Sequence, residues 1–577
     1  MLTSTIERSG LAACAAISGH RDRVTVSNLG VMQAMQHRVP NSPSLSSRHN
    51  PGISLAFLTL ITSSFLFPAC SSNTPDTDLP TTPRPSPAPS PTTDTPVPIT
   101  PTPTPTPLPP LVLSSQENPA DPQSWTFDLT LLTPRALVLT CTQDDDPEER
   151  HRLTSPAQAS HHMVLHGLRA DAAYTCTAQI EDDPSRTSNP VAFSTAPLPP
   201  DLHLPVLSVP PDNVADIGYT LVNYAIMDDD SWTYTADRLV LLDALGNVRW
   251  YRDKGGGGDV EVTWAGNGLI LFGGMANTYY TPALVNLDKA EVFIANATPL
   301  TPYDIAGTFH HDVGMSANGN TIFAMTKTRI DDTWRGFIVR EIDIATNEVV
   351  WWWDAYADGV KAGWLEPGSE SNVDPYHANS VQDRWEDGRC YVYLGLRNQN
   401  QVLKVDYQTK AVVWRLGYKG DFTLLEPDGT PAASDRWFFQ QHDTKRNGDL
   451  FLVYDNGKTR SEVGGEDYTR VLVLRLNEQE RTATIVLEYT EPGWFEPIWG
   501  GMDLLPNGHY LVARGHCPLC ISTPNTSALI EIDAEAQVVW RLDYQNENEV
   551  FYRADRVDGC ALFHNVAYCP DLDQTGR

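Results

Sequence analysis

Phe309-His310-His311-Asp312-Val313 is followed by Asn318-Gly319 and then by the apolar run Thr321-Ile322-Phe323-Ala324-Met325. The same order returns twice. Tyr376-His377-Ala378-Asn379 precedes Asp387-Gly388 and Tyr391-Val392-Tyr393-Leu394, and Gln440-Gln441-His442-Asp443 precedes Asn447-Gly448 and Leu450-Phe451-Leu452-Val453. The three histidines His311, His377 and His442 are spaced 66 and 65 residues apart. Asn-Gly and Asp-Gly between apolar runs mark β-hairpins. Residues at one place in a repeated hairpin converge when the units pack around an axis, so a polar site built by repetition is expected.

The repeat extends beyond the histidines. Thr263–Phe272 is an earlier copy and Gly501–Val512 a later one. A second element alternates with these: an apolar strand, an Asp-centred turn and a strand ending in Trp. It appears at Leu239–Trp250, Ile342–Trp351, Val405–Trp414 and Ile530–Trp540, with weaker copies at Leu284–Asp288 and Val471–Leu476. About six units fit between residue 200 and the end, and no long amphipathic helical pattern intervenes. The expected fold is all-β: a six-bladed β-propeller over 200–577, preceded by a small β-sandwich.

The 577 residues exceed one compact core and call for several domains. A net charge of −31 argues against nucleic acid as a partner, because phosphates would be repelled. Residues 1–70 read as an upstream extension and an export signal. The apolar stretch Ile53–Phe67 has the length of a signal-peptide core, and Leu66-Phe67-Pro68-Ala69-Cys70-Ser71 resembles a bacterial lipobox, which implies lipidation at Cys70. Residues 71–111 form a Pro/Thr-rich linker. Between 74 and 110 lie 15 of the chain's 45 prolines, a composition that gives an extended spacer rather than a core. The expected location is exported and membrane-anchored, facing the periplasm or the cell surface, with the N-terminal lipid as the only membrane contact.

Residues 112–199 hold short strands. Leu168-Arg169-Ala170-Asp171-Ala172-Ala173-Tyr174 resembles the corner before the penultimate strand of fibronectin type III domains, where a tyrosine hydroxyl caps backbone. Cysteine usage fits an oxidising compartment. Cys141 with Cys176, Cys517 with Cys520, and Cys560 with Cys569 are candidate disulfides, with Cys390 left over and other connectivities open.

The chemistry of the repeat centres on the three histidines and Arg397, which follows the strand after His377 in Leu396-Arg397-Asn398-Gln399. A guanidinium fork suits an oxyanion, and neutral imidazole serves as nucleophile, acid or base near neutral pH. Asn379 adds an amide beside His377. Three histidines and an aspartate are also a zinc-like set, but a fixed cation beside them disfavours a metal, so no metal and no cofactor are expected. There is no serine nucleophile elbow and no glycine-rich phosphate loop.

At His310-His311-Asp312, Tyr376-His377-Ala378-Asn379-Ser380-Val381, Leu396-Arg397-Asn398-Gln399, Gln441-His442-Asp443 and Val453-Tyr454-Asp455-Asn456-Gly457, the chain resembles the bacterial arylsulfate sulfotransferase family. The resemblance spans most of 220–560. It implies a six-bladed propeller with its active site at the central channel. It also implies transfer of a sulfuryl group from an aryl sulfate donor to a phenolic acceptor through His442, with no nucleotide donor. His311, His377, Asn379 and Arg397 fall on the sulfate-binding positions. The sequence departs from the family at Arg436-Trp437-Phe438-Phe439-Gln440, where Trp437, Phe438 and Phe439 are candidate walls for the aryl ring, packing between blades being the competing role. A different class of function fits the tether equally well: a non-catalytic surface propeller that captures an anionic ligand or a protein.

Overall fold

The computed structural model describes residues 108–228, 231, 233–254, 262–276, 279–331, 334–367, 373–520 and 526–572. The export signal, Cys70 and nearly all of the Pro/Thr linker lie outside the described residues. From Pro109 onward the chain packs as one compact unit.

Six four-stranded blades follow one another around an axis. Blade 1 runs Tyr219–Met227, Tyr234–Asp243, Val248–Asp253, with Glu549–Val557 from the far end of the chain as its innermost strand. Blade 2 is Val262–Gly266, Leu269–Ala276, Tyr279–Asn286 and Glu291–Ile294; blade 3 is Asp304–Met315, Thr321–Asp331, Trp334–Asp343 and Val349–Asp354. Blade 4 is Ala378–Glu386, Arg389–Leu396, Gln401–Asp406 and Val412–Gly417. Blade 5 is His442–Asn447, Leu450–Asp455, Arg470–Asn477 and Thr482–Tyr489, with Thr423–Leu425 added parallel at its edge. Blade 6 is Gly501–Leu504, Tyr510–Arg514, Ala528–Ile532 and Val538–Asp543, with Val206–Val209 as an outer fifth strand. Both chain ends of the propeller are therefore tied into sheets made by the opposite end, and the ring closes without an exposed inner edge.

The middle strands are continuous apolar runs because each blade is covered on both faces. In blade 5, Phe451, Val453, Leu472 and Leu474 join a core with Val402 and Leu416 of blade 4. Their neighbours Leu452, Tyr454, Val471 and Val473 point the other way, into a core with Met502, Val512 and Ile530 of blade 6. The two-residue alternation of a strand thus feeds two inter-blade cores instead of one core and solvent.

The recurring tryptophans fasten blade to blade. Each stands on a fourth strand and donates its indole N–H to the turn after the third strand of the next blade. Trp250 bonds the Leu287 carbonyl, Trp351 that of Tyr407 and Trp540 that of Ala244, while Trp414 bonds the Glu478 carboxylate, all at 2.8 Å. Two of the inner hairpins turn as their sequences demand. Asn267-Gly268 (φ 52° and 74°) and Asp387-Gly388 (φ 47° and 77°) hold both central residues at positive φ, the requirement of a type I′ turn.

The preceding β-sandwich is one six-stranded hydrogen-bonded sheet that curls over its own core. Its strand Asp121–Gln143 pairs with Ser114–Asn118 along its first part and with Ala173–Ile180 along its last, and with Arg150–Leu165 throughout. Tyr174 is fully buried, and its hydroxyl accepts the Arg169 amide at 3.0 Å, as the corner motif implies. The expected bridges Cys141–Cys176, Cys517–Cys520 and Cys560–Cys569 are present. Among the described residues no helix is long and apolar enough to cross a membrane.

Candidate active site

The six innermost strands form a closed ring around the channel. Carboxylates on these strands clasp the next blade: Asp312 accepts the Val381 amide (2.7 Å), Asp443 that of Met502 (2.8 Å) and Asp555 that of Trp264 (2.7 Å). In blades 3, 4 and 5 the inner strand carries an irregular register at the histidine, between Phe309 and Val313, Ala378 and Ser380, and His442 and Thr444. The left-handed backbone of His311 (φ 59°), His377 (φ 47°) and Asp443 (φ 47°) accompanies these bulges. For non-glycine residues such a conformation costs about 1–3 kcal/mol each, and it re-aims the side chain. The repeat spacing thus brings all three histidines into one cluster, with ring centroids of His311 4.8 Å from His377 and 6.4 Å from His442.

His442 is buried, and its Nδ1 lies 2.7 Å from Asn456 Oδ1. The Asn456 orientation is fixed, because its Nδ2 donates to the carbonyls of Glu496 (2.7 Å) and Trp499 (2.9 Å). Its oxygen must therefore face the imidazole, so Nδ1 carries the proton and Nε2 the lone pair. Burial, then the Arg397 charge, hold His442 well below the usual imidazole range, against the Asn456 hydrogen bond. His442 is thus neutral with an available nitrogen.

Arg397 opens the short turn Arg397–Gln399 and is buried. Its Nη1 donates to Asn398 Oδ1 (3.0 Å) and Nη2 to the Pro497 carbonyl (3.2 Å), while Nε has no partner. Burial pushes it down to about 10. It makes no carboxylate ion pair among the described residues, and a cation so placed is stabilised by an incoming anion.

A proton-carrying chain flanks the pair. His377 Nδ1 lies 2.7 Å from Asp374 Oδ2, its Nε2 3.1 Å from His311 Nε2, and His311 Nδ1 3.4 Å from the Tyr552 hydroxyl. Burial, then the neighbouring His377, keep His311 neutral, well below the usual range. Burial raises the Asp374 carboxyl, but the His377 hydrogen bond overcomes this and holds it below the usual range.

Two expectations change. Trp437, Phe438 and Phe439 are buried in the core between blades 4 and 5, with Trp414 and Leu416 as neighbours. They are packing residues there, not walls of the cavity beside the histidines. Asn379 is fully buried and donates its amide to the Gln441 carbonyl (2.8 Å), a blade-4-to-blade-5 tie that positions the backbone entering His442. The structure adds Asn456, Asp374 and Tyr552. Asn456 stands inside a recognised motif and Asp374 two residues before another, and their polar character beside an apolar strand or a histidine was the available signal. Tyr552 breaks the 65-residue spacing, since its strand comes from the chain's end to complete blade 1.

The arylsulfotransferase (ASST) family model matches residues 206–553. The chain belongs to this family. Membership makes it a sulfotransferase-family propeller whose substrates are small aryl donors and acceptors. No curated protein matches the chain. Solved structures of low similarity include a protein of unknown function from Bacteroides caccae, 13% identical over 59% of this chain and 98% of its own, with a TM-score of 0.38. TolB from Acinetobacter baumannii is 10% identical over 68% and 80%, with a TM-score of 0.36. The periplasmic gluconolactonase of Pseudomonas aeruginosa is 12% identical over 72% and 96%, with a TM-score of 0.29. Superpositions this loose carry no functional argument.

Proposed function

We propose that the protein transfers a sulfuryl group from a phenolic sulfate ester to a phenol by a ping-pong route through a sulfohistidine on His442, without a nucleotide donor. The observation that carries this reading is the pinned tautomer of His442 beside the buried guanidinium of Arg397, which has no carboxylate ion pair among the described residues. In the first half, Arg397 holds the sulfuryl oxygens. Nε2 of His442 attacks sulfur, an N–S bond forms, and the S–O bond to the aryl ring breaks. The departing phenolate takes a proton from the His377–His311 pair, in which the His377 ring is oriented by its hydrogen bond to Asp374. In the second half, an acceptor phenol returns its proton to that pair as its oxygen attacks sulfur, and the N–S bond electrons go back to Nε2. Asn379 and Asn456 act as positioning residues.

The test is 4-nitrophenyl sulfate with phenol as acceptor. The expected result is parallel-line kinetics and an acid-labile sulfuryl adduct on His442. His442→Ala should lose both turnover and adduct. Arg397→Lys keeps the charge but loses the planar fork, and should slow transfer on the order of ten-fold or more. Turnover persisting in His442→Ala would overturn the assignment. Ester binding without any turnover in the wild-type protein would favour the non-catalytic anion-binding propeller.

The bridges among the described residues suit an oxidising compartment. With the lipobox-like Pro68-Ala69-Cys70 and the proline-rich spacer, they support an exported protein held to a membrane by lipid on Cys70. Mass analysis of the mature N-terminus tests this: it should begin at an acylated Cys70, and an unmodified start elsewhere would refute it.

A further inference from the structure

Beside the histidine cluster lies a cavity of about 280 Å³, near the lower limit for small-molecule pockets and suited to a single ring. His311 and His377 form part of its wall, whereas His442 and Arg397 do not line it. The cavity is therefore a neighbour of the sulfuryl cradle, joined to it through the two histidines. Ile305 and Phe337 give it an apolar surface. Two polar groups in its wall are buried and have no hydrogen-bond partner: both ring nitrogens of His310, a residue 8% exposed, and the Thr328 hydroxyl, on a residue 0% exposed. Burial, then the nearby Lys327 charge, push His310 down to about 3, so its ring is neutral and offers one donor and one acceptor.

The cavity's charged groups are Lys327, Arg329, Arg335 and Asp374. Asp374 is engaged by His377. Lys327 and Arg335 are exposed and make no ion pair among the described residues. In a chain with net charge −31, two exposed cations without an ion pair among the described residues, Lys327 and Arg335, make this cavity locally attractive to an anion.

We propose that this cavity binds the aryl acceptor, and that it selects phenols whose ring carries a second, anionic substituent such as a carboxylate. The ring lies against Ile305 and Phe337, and Lys327 and Arg335 meet the carboxylate. The phenolic hydroxyl faces His311 and His377, the pair that receives its proton. The proposal rests on the sulfuryl-transfer reading for its role in turnover, but the binding it describes is independent of that reading.

The experiment compares 4-hydroxybenzoate with 4-hydroxybenzamide, its uncharged isostere. With 4-nitrophenyl sulfate as donor, the wild-type protein should prefer the carboxylate by about ten-fold in kcat/KM, as expected for charge-assisted hydrogen bonds. In the double variant Lys327→Ala/Arg335→Ala that preference should collapse towards unity. A preference unchanged in the double variant, or absent from the wild type, would overturn the proposal. Calorimetric titration of 4-hydroxybenzoate separates this outcome from failure of the transfer chemistry. Binding should survive in His442→Ala and weaken about ten-fold in the double variant. Lack of nitrophenolate release with this binding pattern intact would strike the transfer mechanism and leave the cavity assignment standing. Equal binding by wild-type protein and double variant would refute the cavity assignment.

Discussion

At the scale of single residues, the site depends on one asparagine side chain that cannot turn round. Asn456 is held by two carbonyls on its nitrogen side and offers its oxygen to His442. Asn456→Ala leaves the imidazole free to adopt either tautomer and to rotate. Loss of one buried hydrogen bond of this kind should lower kcat on the order of ten- to a hundred-fold, with the smaller effect on KM. A KM effect alone would mean that Asn456 serves binding and not the nucleophile. The depressed affinity of His442 for protons gives a second expectation. A histidine held well below the ordinary 6.5 stays neutral as pH falls through that value. Adduct formation in the burst phase should therefore keep its full rate at pH 6 and decline only at distinctly lower pH. A half-point at 6.5 would contradict a buried, neutral His442.

At the scale of elements, the sequence showed the inner hairpins and the Asp-turn-Trp outer strands because each has a local physical signature. Type I′ turns need Asn-Gly or Asp-Gly, and a buried fourth strand needs a tryptophan whose N–H finds a carbonyl across the blade boundary. The innermost strand of blade 1 carried no such signature in its neighbourhood. Glu549–Val557 lies over 300 residues from its partner Tyr219–Met227, and no local pattern encodes that pairing. Tyr552 was missed with it. The aromatic run 437–439 stayed open between two roles for the opposite reason: three aromatics look alike in sequence whether they line a pocket or a core, and only packing against Trp414 and Leu416 separates the two. The role of the tryptophans is open to measurement. Trp540→Phe keeps the ring but removes the N–H that reaches the Ala244 carbonyl at the closure between blades 6 and 1. It should destabilise by about 1–2 kcal/mol, read from denaturant unfolding with an unchanged slope. No loss of stability would mean that shape alone, not the hydrogen bond, fastens the blades.

At the scale of the whole molecule, the small sandwich is built into the propeller instead of hanging from it. The segment after blade 1's inner strand returns to the sandwich, where Val566 donates to the Arg150 carbonyl (2.7 Å) and Arg152 to that of His564 (2.9 Å). Gln123 donates to the Val248 carbonyl (2.6 Å). At the centre, Glu149 of the sandwich meets Arg249 of blade 1 with both almost fully buried, Nη2 lying 2.8 Å from Oε2, while Arg249 is also paired with Asp243 (2.7 Å). Burial raises the Glu149 carboxyl, but the Arg249 charge and hydrogen bonds outweigh it and hold the group well below 4.5. A carboxyl depressed on folding contributes stability that is fully present above the unfolded value and is lost as pH falls through the folded one. Glu149→Gln leaves the arginine less compensated, and should cost about 3 kcal/mol at neutral pH. The gap between wild type and variant should then narrow steadily below about pH 4.5, where the unfolded chain's carboxyl takes up a proton while the native one, held well below that value, stays ionised. Denaturant midpoints of both proteins from pH 7 to pH 3 test this, and a gap that stays constant across that range would show that the ion pair does not hold the two parts together.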